Sequence, residues 1–259
     1  MTEDVRAWAA DWMEGRIAES RWMLGLLEPA QIEGKSLVDL GAGAGALLLA
    51  ALERGAELAI GVEPDPFVSV YGPERAAAIR AEFHARAALL PGRTAMVESG
   101  AEGVHELLTP VDLVTSFDVL EHVPSPRDFI HAAHGLLVPG GLFVISTCPY
   151  YYSPAGHHFF ADFDVQEDAW VHLRRDPDPR LTPAHFSPAH WEVFETLNQV
   201  THAEIQEALL DEGFEIAHEQ LRRSSVDVQP LRGLLHLPDD KPESVLTEEM
   251  GQFVCRKAV

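Results

Sequence analysis

The residues most able to do chemistry lie in a short glycine-rich stretch, Val38-Asp39-Leu40-Gly41-Ala42-Gly43-Ala44-Gly45-Ala46. An apolar run from Ser36 to Leu40 stops at the glycines, and Ala46 to Arg54 is rich in helix formers. Strand, glycine loop and helix in that order let the backbone turn sharply and let a ligand lie on the main chain, beside the free N–H groups of a helix start. Glu63 closes the next apolar run 22 residues after Gly41, where a carboxylate can accept hydrogen bonds from both hydroxyls of a ribose. The spacing Gly41-x-Gly43-x-x-Ala46 satisfies the dinucleotide fingerprint. Such runs also serve simply to pack a helix close to a strand. Asp39 discriminates among ligands, because a carboxylate two residues before the first glycine suits an ammonium and a sulfonium and suits a pyrophosphate poorly. The Tyr-x-x-x-Lys pair of short-chain dehydrogenases is absent: Tyr71, Tyr150, Tyr151 and Tyr152 are followed four residues later by Arg75, Pro154, Ala155 and Gly156.

The elements that must hold this loop follow a regular rhythm. Strands are predicted at 36–40, 58–62, 94–97, 111–116 and 142–147, with helices over 46–54, 73–90 and 126–137 between them. Alternation of this kind implies a parallel sheet covered by helices on both faces. Residues 1–33 carry Val5, Trp8, Trp12, Ile17, Trp22, Leu24 and Leu27 at helical spacing, and Gly15 is expected to separate two helices there. The tryptophans could cap the ligand site or pack on the sheet, and packing is the expectation. After Cys148 the rhythm breaks into a stretch rich in Pro, His and aromatic residues, the mark of a lid or a small subdomain. Helix 201–211, strand 214–221 and strand 252–257 follow, with 224–250 ambiguous. The resulting segments are 1–35 as a helical cap, 36–148 as the cofactor-binding core, 149–200 as an insertion shaping an acceptor site, and 201–259 as the rest of the sheet.

Composition narrows the function classes. The 259 residues hold 19 Lys and Arg against 41 Asp and Glu, a net charge of −22, which disfavours nucleic acid and anionic lipid surfaces as partners. Two cysteines, Cys148 and Cys255, are too few for a disulfide framework or a thiolate zinc site. The N-terminus lacks the basic and apolar regions of a secretion signal, and no apolar run is long enough to span a membrane, so a cytoplasmic protein is expected.

With these residues in view, the sequence resembles the class I S-adenosylmethionine-dependent methyltransferases. VDLGAGAG (38–45) is similar to their first motif and GVEP (61–64) to the acidic end of their second strand. VDLVTSFDVLEHV (111–123), LLVPGGLFVIST (136–147) and LLDEGFEI (209–216) resemble later blocks in the same order. The resemblance implies a Rossmann-like seven-stranded sheet with an antiparallel last strand, and S-adenosylmethionine lying along the glycine loop. It implies that Gly41, Gly43 and Gly45 approach the donor, that Asp39 stands near its amino-acid end, and that Glu63 holds its ribose. Ser116 and Phe117 would line its methionine part. Gly100 stands where the family often places an acid, so Ala101 or Glu102 is expected at the adenine. A nicotinamide-dependent oxidoreductase and a non-catalytic S-adenosylmethionine-binding protein are the alternatives.

Methyl transfer to a hydroxyl needs alignment of the acceptor and removal of its proton. His157 and His158, in the segment after strand five, are the preferred bases because imidazole titrates near neutrality. Packing within a lid is the competing role for each. His122 is a third candidate. Asp118-x-x-Glu121-His122 resembles a metal-binding pattern of some family members, and on a helix the three side chains would share a face; the same Leu-Glu-His-Val text occurs in metal-free members, and no metal is assigned. The rings of Tyr150, Tyr151, Tyr152, Phe159, Phe160, Phe163 and Trp170 could bind an apolar or sugar-like acceptor or build the lid's own core. The expected acceptor is a small molecule, bearing a hydroxyl of a sugar, lipid or secondary metabolite.

Overall fold

A computed structural model describes residues 2–65, 71–159, 162–164 and 166–259. Its strands are β1 (Ser36–Leu40), β2 (Leu58–Glu63), β3 (Arg93–Glu98), β4 (Val111–Phe117), β5 (Leu137–Thr147), β6 (Phe214–Arg223) and β7 (Glu248–Lys257). They form one sheet in the order β3-β2-β1-β4-β5-β7-β6, with β7 antiparallel to its neighbours, the Rossmann-like topology the sequence leads one to expect. The chain divides into two compact units, one of residues 1–117, 131–144 and 254–259, the other of residues 118–130 and 145–253.

In the first unit, β1 lies between β2 and β4 and pairs with both in parallel; Asp39 stands opposite Gly61 on one side and Thr115 on the other. Helix α1 (Glu3–Met23) packs against α2 (Ala46–Glu53) and α3 (Pro73–Ala87). Every residue of α2 from Ala46 to Leu52 is buried, which explains why its sequence is apolar on all sides rather than striped. Gly15 does not divide the N-terminal segment: α1 runs unbroken through 21 residues. Thr2 caps its first turn by accepting from the Val5 N–H, and the buried Ala9, Met13, Ile17 and Ser20 recur every three or four residues across the glycine. One exposed glycine costs about 1 kcal/mol against alanine, too little to end a helix so anchored. β5 also begins earlier than expected, continuing through Pro139-Gly140-Gly141 with Gly140 at φ +78°.

Helix α4 (Pro126–Leu136) leads into β5. In the second unit, α5 (Pro188–Thr196) and α6 (His202–Asp211) are each capped by a hydroxyl, Ser187 and Thr201, the latter in a capping box with Glu204. The segment after β5 builds two apolar clusters. Phe159, Phe163, Val171 and Phe186 form one, and Tyr152, Trp170 and Leu173 join Leu235, Val245 and Leu246 in the other. Trp170 is fully buried, and its indole N–H reaches the carbonyls of Tyr152 and Leu246 at 3.1 and 2.9 Å. The described rings of this segment thus largely serve its own core, while Phe160 lies outside the described residues.

Two glycines should respond in opposite senses. A Cβ at Gly15 would meet nothing within 4 Å, so Gly15→Ala should raise stability by about 0.5–1 kcal/mol in urea unfolding. A Cβ at Gly45 would fall 2.5 Å from the Phe83 ring, at φ +78°, so Gly45→Ala should lower stability by more than that amount.

Candidate functional site

The first unit turns from β1 into α2 through three left-handed glycines, with φ +80° at Gly41, +50° at Gly43 and +78° at Gly45. The amides of Gly41 and Ala42 donate to the Val62 carbonyl at 2.8 and 3.1 Å, tying the start of the loop to the end of β2. Glu63 then reaches back: its Oε2 accepts the Gly43 N–H at 2.9 Å and its Oε1 accepts the Asp65 N–H at 3.2 Å. Asp39 is buried, and its Oδ1 accepts the Thr115 hydroxyl at 2.7 Å. Burial pushes its carboxyl up to about 7; the Thr115 hydrogen bond works against this, and the nearby Glu63 charge adds to it.

A cavity of about 360 Å³ opens against this loop, within the range of small-molecule sites. Asp39, Gly41, Gly43 and Phe117 line it, as do Trp12 and Arg16 from α1. Trp12 meets Tyr71, another lining residue, edge to face at 5.7 Å, so one N-terminal tryptophan reaches the cavity while also packing. Arg16 is held by Glu19 at 2.5 Å. Neither Arg16 nor Tyr71 is marked by any local motif; the signal for Arg16 lay only in a cation on the polar side of an amphipathic helix. The remaining expected ligand residues, Glu63 among them, stand outside the lining. Gly45 is buried at the start of α2 against Phe83, Ser116 is fully buried, and Ala101 and Glu102 belong to the turn after β3, where the Ala101 carbonyl accepts the Val104 N–H at 3.3 Å.

The three expected histidine bases all belong to the second unit. His157 is completely buried; its Nδ1 accepts the Phe159 N–H at 2.9 Å and its ring lies parallel to that of Phe159. Burial holds its pKa down at about 4. His158 has a left-handed backbone at φ +62°, and its Nε2 faces the Pro149 carbonyl at 3.3 Å. Burial and the neighbouring His122 push it down to about 3. The rings of His122 and His158 meet edge to face at 5.1 Å, and His122 is the exposed member of the pair. Both rings are neutral at pH 7, and His157 is walled in by aromatic neighbours.

Asp118, Glu121 and His122 do not share a helical face. Asp118 has φ +56°, and only Leu120–His122 form a single 3-10 turn. Asn198, which no motif marks, clamps that turn by donating its side-chain amide to the carbonyls of Leu120 and Val123 at 2.6 and 2.9 Å. Glu121 is buried, and burial together with the Asp118 charge raises its pKa well above the usual carboxylate range. Among the described residues no group of three or more His, Cys, Asp or Glu could hold a metal ion, and no helix is long and apolar enough to cross a membrane.

Residues 12–219 match the family model of a methyltransferase domain. The ubiquinone biosynthesis O-methyltransferase of Azotobacter vinelandii is 32% identical over 126 residues, 46% of this chain and 47% of that protein. The tRNA U34 carboxymethyltransferase of Idiomarina loihiensis is 29% identical over 144 residues, 54% of this chain and 38% of that protein. The chain spans about half the length or less of these relatives. In fold it is similar to an S-adenosylmethionine-dependent methyltransferase from Mesorhizobium loti, with TM-score 0.55 and 17% identity over 92% of this chain and 98% of that one. Magnesium protoporphyrin IX methyltransferase from Synechocystis, solved with its methyl donor bound, gives TM-score 0.50 and 14% identity over 100% and 86% of the two chains.

The buried Asp39 carries a stability cost with a definite pH sign. Its folded pKa of about 7 lies above the ordinary 3.8, so folding stability is fullest below the ordinary value and is lost as pH rises through 7. Asp39→Asn keeps an acceptor for Thr115 and removes the charge. Thermal melts of the ligand-free chain should show the variant more stable at pH 8, by up to a few kcal/mol, and the gain should shrink toward pH 5.

Proposed function

The chain belongs to the class I S-adenosylmethionine-dependent methyltransferases, and from that premise we propose that it methylates a hydroxyl of a small molecule, acting in the cytoplasm. The observation that carries the reading is the buried Asp39 carboxylate at the mouth of a glycine cradle. An acid forced up to about 7 lacks a cationic partner, and a ligand ammonium supplies one. Gly41 and Gly43 leave room for that ligand against the backbone. Arg16 offers a guanidinium to its carboxylate, and Glu63 can exchange its bond to the Gly43 amide for bonds from ribose hydroxyls. Gly45, Ala101, Glu102, Ser116 and Phe117 complete the proposed donor environment, Gly45 and Ser116 by supporting the loop and strand from within. When bound, S-adenosylmethionine supplies a methyl carbon activated by a positive sulfur.

The chain's own task is then to align the acceptor and take its proton. We assign the proton to the His122–His158 pair, of which His122 is exposed, and give His157 the role of a packing group in its aromatic nest. Partial desolvation keeps the His122 imidazole below its ordinary value, so it is neutral and able to accept at pH 7. The net charge of −22 supports a small molecule over tRNA as acceptor.

Calorimetric titration with S-adenosylhomocysteine should tighten about tenfold between pH 6 and pH 8 as Asp39 ionises beside the ligand ammonium. Asp39→Asn should flatten that dependence, and Arg16→Ala should weaken binding by about 1–3 kcal/mol. A pH-independent affinity in the wild type would contradict the placement of the ammonium. With labelled S-adenosylmethionine and a panel of hydroxylated acceptors, His122→Ala should lower kcat by about 100-fold and leave homocysteine-analogue affinity unchanged. The acid limb of the wild-type kcat profile should fall below pH 6.5, since the base must be neutral. Transfer to bulk tRNA in preference to every small acceptor would overturn the acceptor class.

A further inference from the structure

A second cavity, of about 730 Å³, lies wholly within the second unit. Two strands of chain far apart in sequence make its frame: Arg174 pairs antiparallel with Leu235, the Arg175 N–H donates to Leu234 at 2.8 Å, and the His236 N–H donates to Leu173 at 2.6 Å. Leu173 and Leu235 turn inward onto the cluster around Trp170, so the frame rests on a packed floor. Arg174, Arg175, His172 and His236 line the cavity beside the rings of Tyr151 and Tyr152, with Asp239 as a carboxylate in the lining.

Two adjacent guanidiniums are notable in a chain with 19 basic residues against 41 acidic ones. Of the acids nearby in sequence, Asp168 and Asp178 are both bonded to Arg180, though the Arg174 charge also acts on Asp178, and Asp176 directly follows Arg175. Among the described residues neither Arg174 nor Arg175 forms an ion pair with a carboxylate. Instead, backbone carbonyls orient them. Arg174 donates through Nη2 to Glu167 and Ala169, both at 3.2 Å, and Arg175 donates through Nε to Leu235 at 3.1 Å. The Nε of Arg174 is buried and has no hydrogen-bond partner. His172 Nε2 faces the Tyr151 carbonyl at 2.6 Å, which places its proton there and leaves Nδ1 as a buried acceptor with no donor. The cavity therefore offers cationic donors for an anion, an imidazole nitrogen for a hydroxyl, and tyrosine rings for a flat body.

We propose that this cavity is a binding site for a hydroxylated aromatic anion, with its carboxylate or phosphate held by Arg174 and Arg175. This preference does not rest on the methyltransferase reading above.

The test is titration of the full chain, with saturating S-adenosylhomocysteine, by 4-hydroxybenzoate, phenyl phosphate and the neutral 4-hydroxybenzamide. At least one anion should bind 10-fold or more tightly than the amide, and the better anion identifies carboxylate or phosphate. Arg174→Gln should weaken that anion at least fivefold. Arg175→Gln, at an exposed position where folding is not at stake, should do the same, and S-adenosylhomocysteine affinity should stay unchanged in both. Equal binding of anion and amide, or wild-type anion affinity in Arg175→Gln, would overturn the proposal. A chain that binds S-adenosylhomocysteine but neither anion contradicts the pocket assignment alone. One that selects the anion but ignores S-adenosylhomocysteine contradicts the methyltransferase reading and supports the anion site.

Discussion

A carboxylate buried at the end of β1 imposes the constraint around which the first unit is arranged. Asp39 faces Thr115 across the strand pair, and the one hydrogen bond from that hydroxyl falls short of replacing the water lost on burial. The uncompensated charge is tolerable in a protein whose ligand brings a cation. Around it, the glycines give the loop a left-handed path, the Val62 carbonyl anchors the loop to β2, and Glu63 holds the Gly43 amide. Stability is given up at this point and recovered in the apolar body of α2 and the sheet beneath it.

Much of this was legible because it is local. The strand, the three glycines, Asp39 and Glu63 stand within one strand–helix–strand unit, where spacing dictates geometry. The cavity's other wall was not. Trp12, Arg16 and Tyr71 come to the loop through packing of α1 on α2 and α3, a relation between segments that no motif encodes. Gly15 misleads for a related reason: its cost to a helix is small and is offset by buried residues on either side, whose burial is a tertiary fact. The Asp118–His122 stretch differs: its three side chains would share a face only on a helix, and the chain instead makes a single 3-10 turn clamped by Asn198 from 75 or more residues away.

The second unit was hardest to read. Its rings and histidines are dense in the sequence, yet most of that density goes into two small cores that a long irregular segment needs in order to hold a shape. Burial also reverses the simple reading of the histidines. A residue type chosen because it titrates near neutrality loses that property when enclosed, as His157 and His158 do at about 4 and 3. The polar stretch 224–250, without periodicity of its own, supplies Leu235 and His236 to the frame of the second cavity. Its order comes from pairing with residues some 60 positions earlier.

The central claim is that the glycine loop with Asp39 and Glu63 takes S-adenosylmethionine rather than a dinucleotide. Calorimetry with S-adenosylhomocysteine, NAD and NADP on the same preparation tests it most directly. The account predicts saturable one-to-one binding of S-adenosylhomocysteine and no heat from either dinucleotide at equal concentration. Binding of NAD or NADP in place of S-adenosylhomocysteine would contradict it, since a pyrophosphate would then be accepted beside a buried acid.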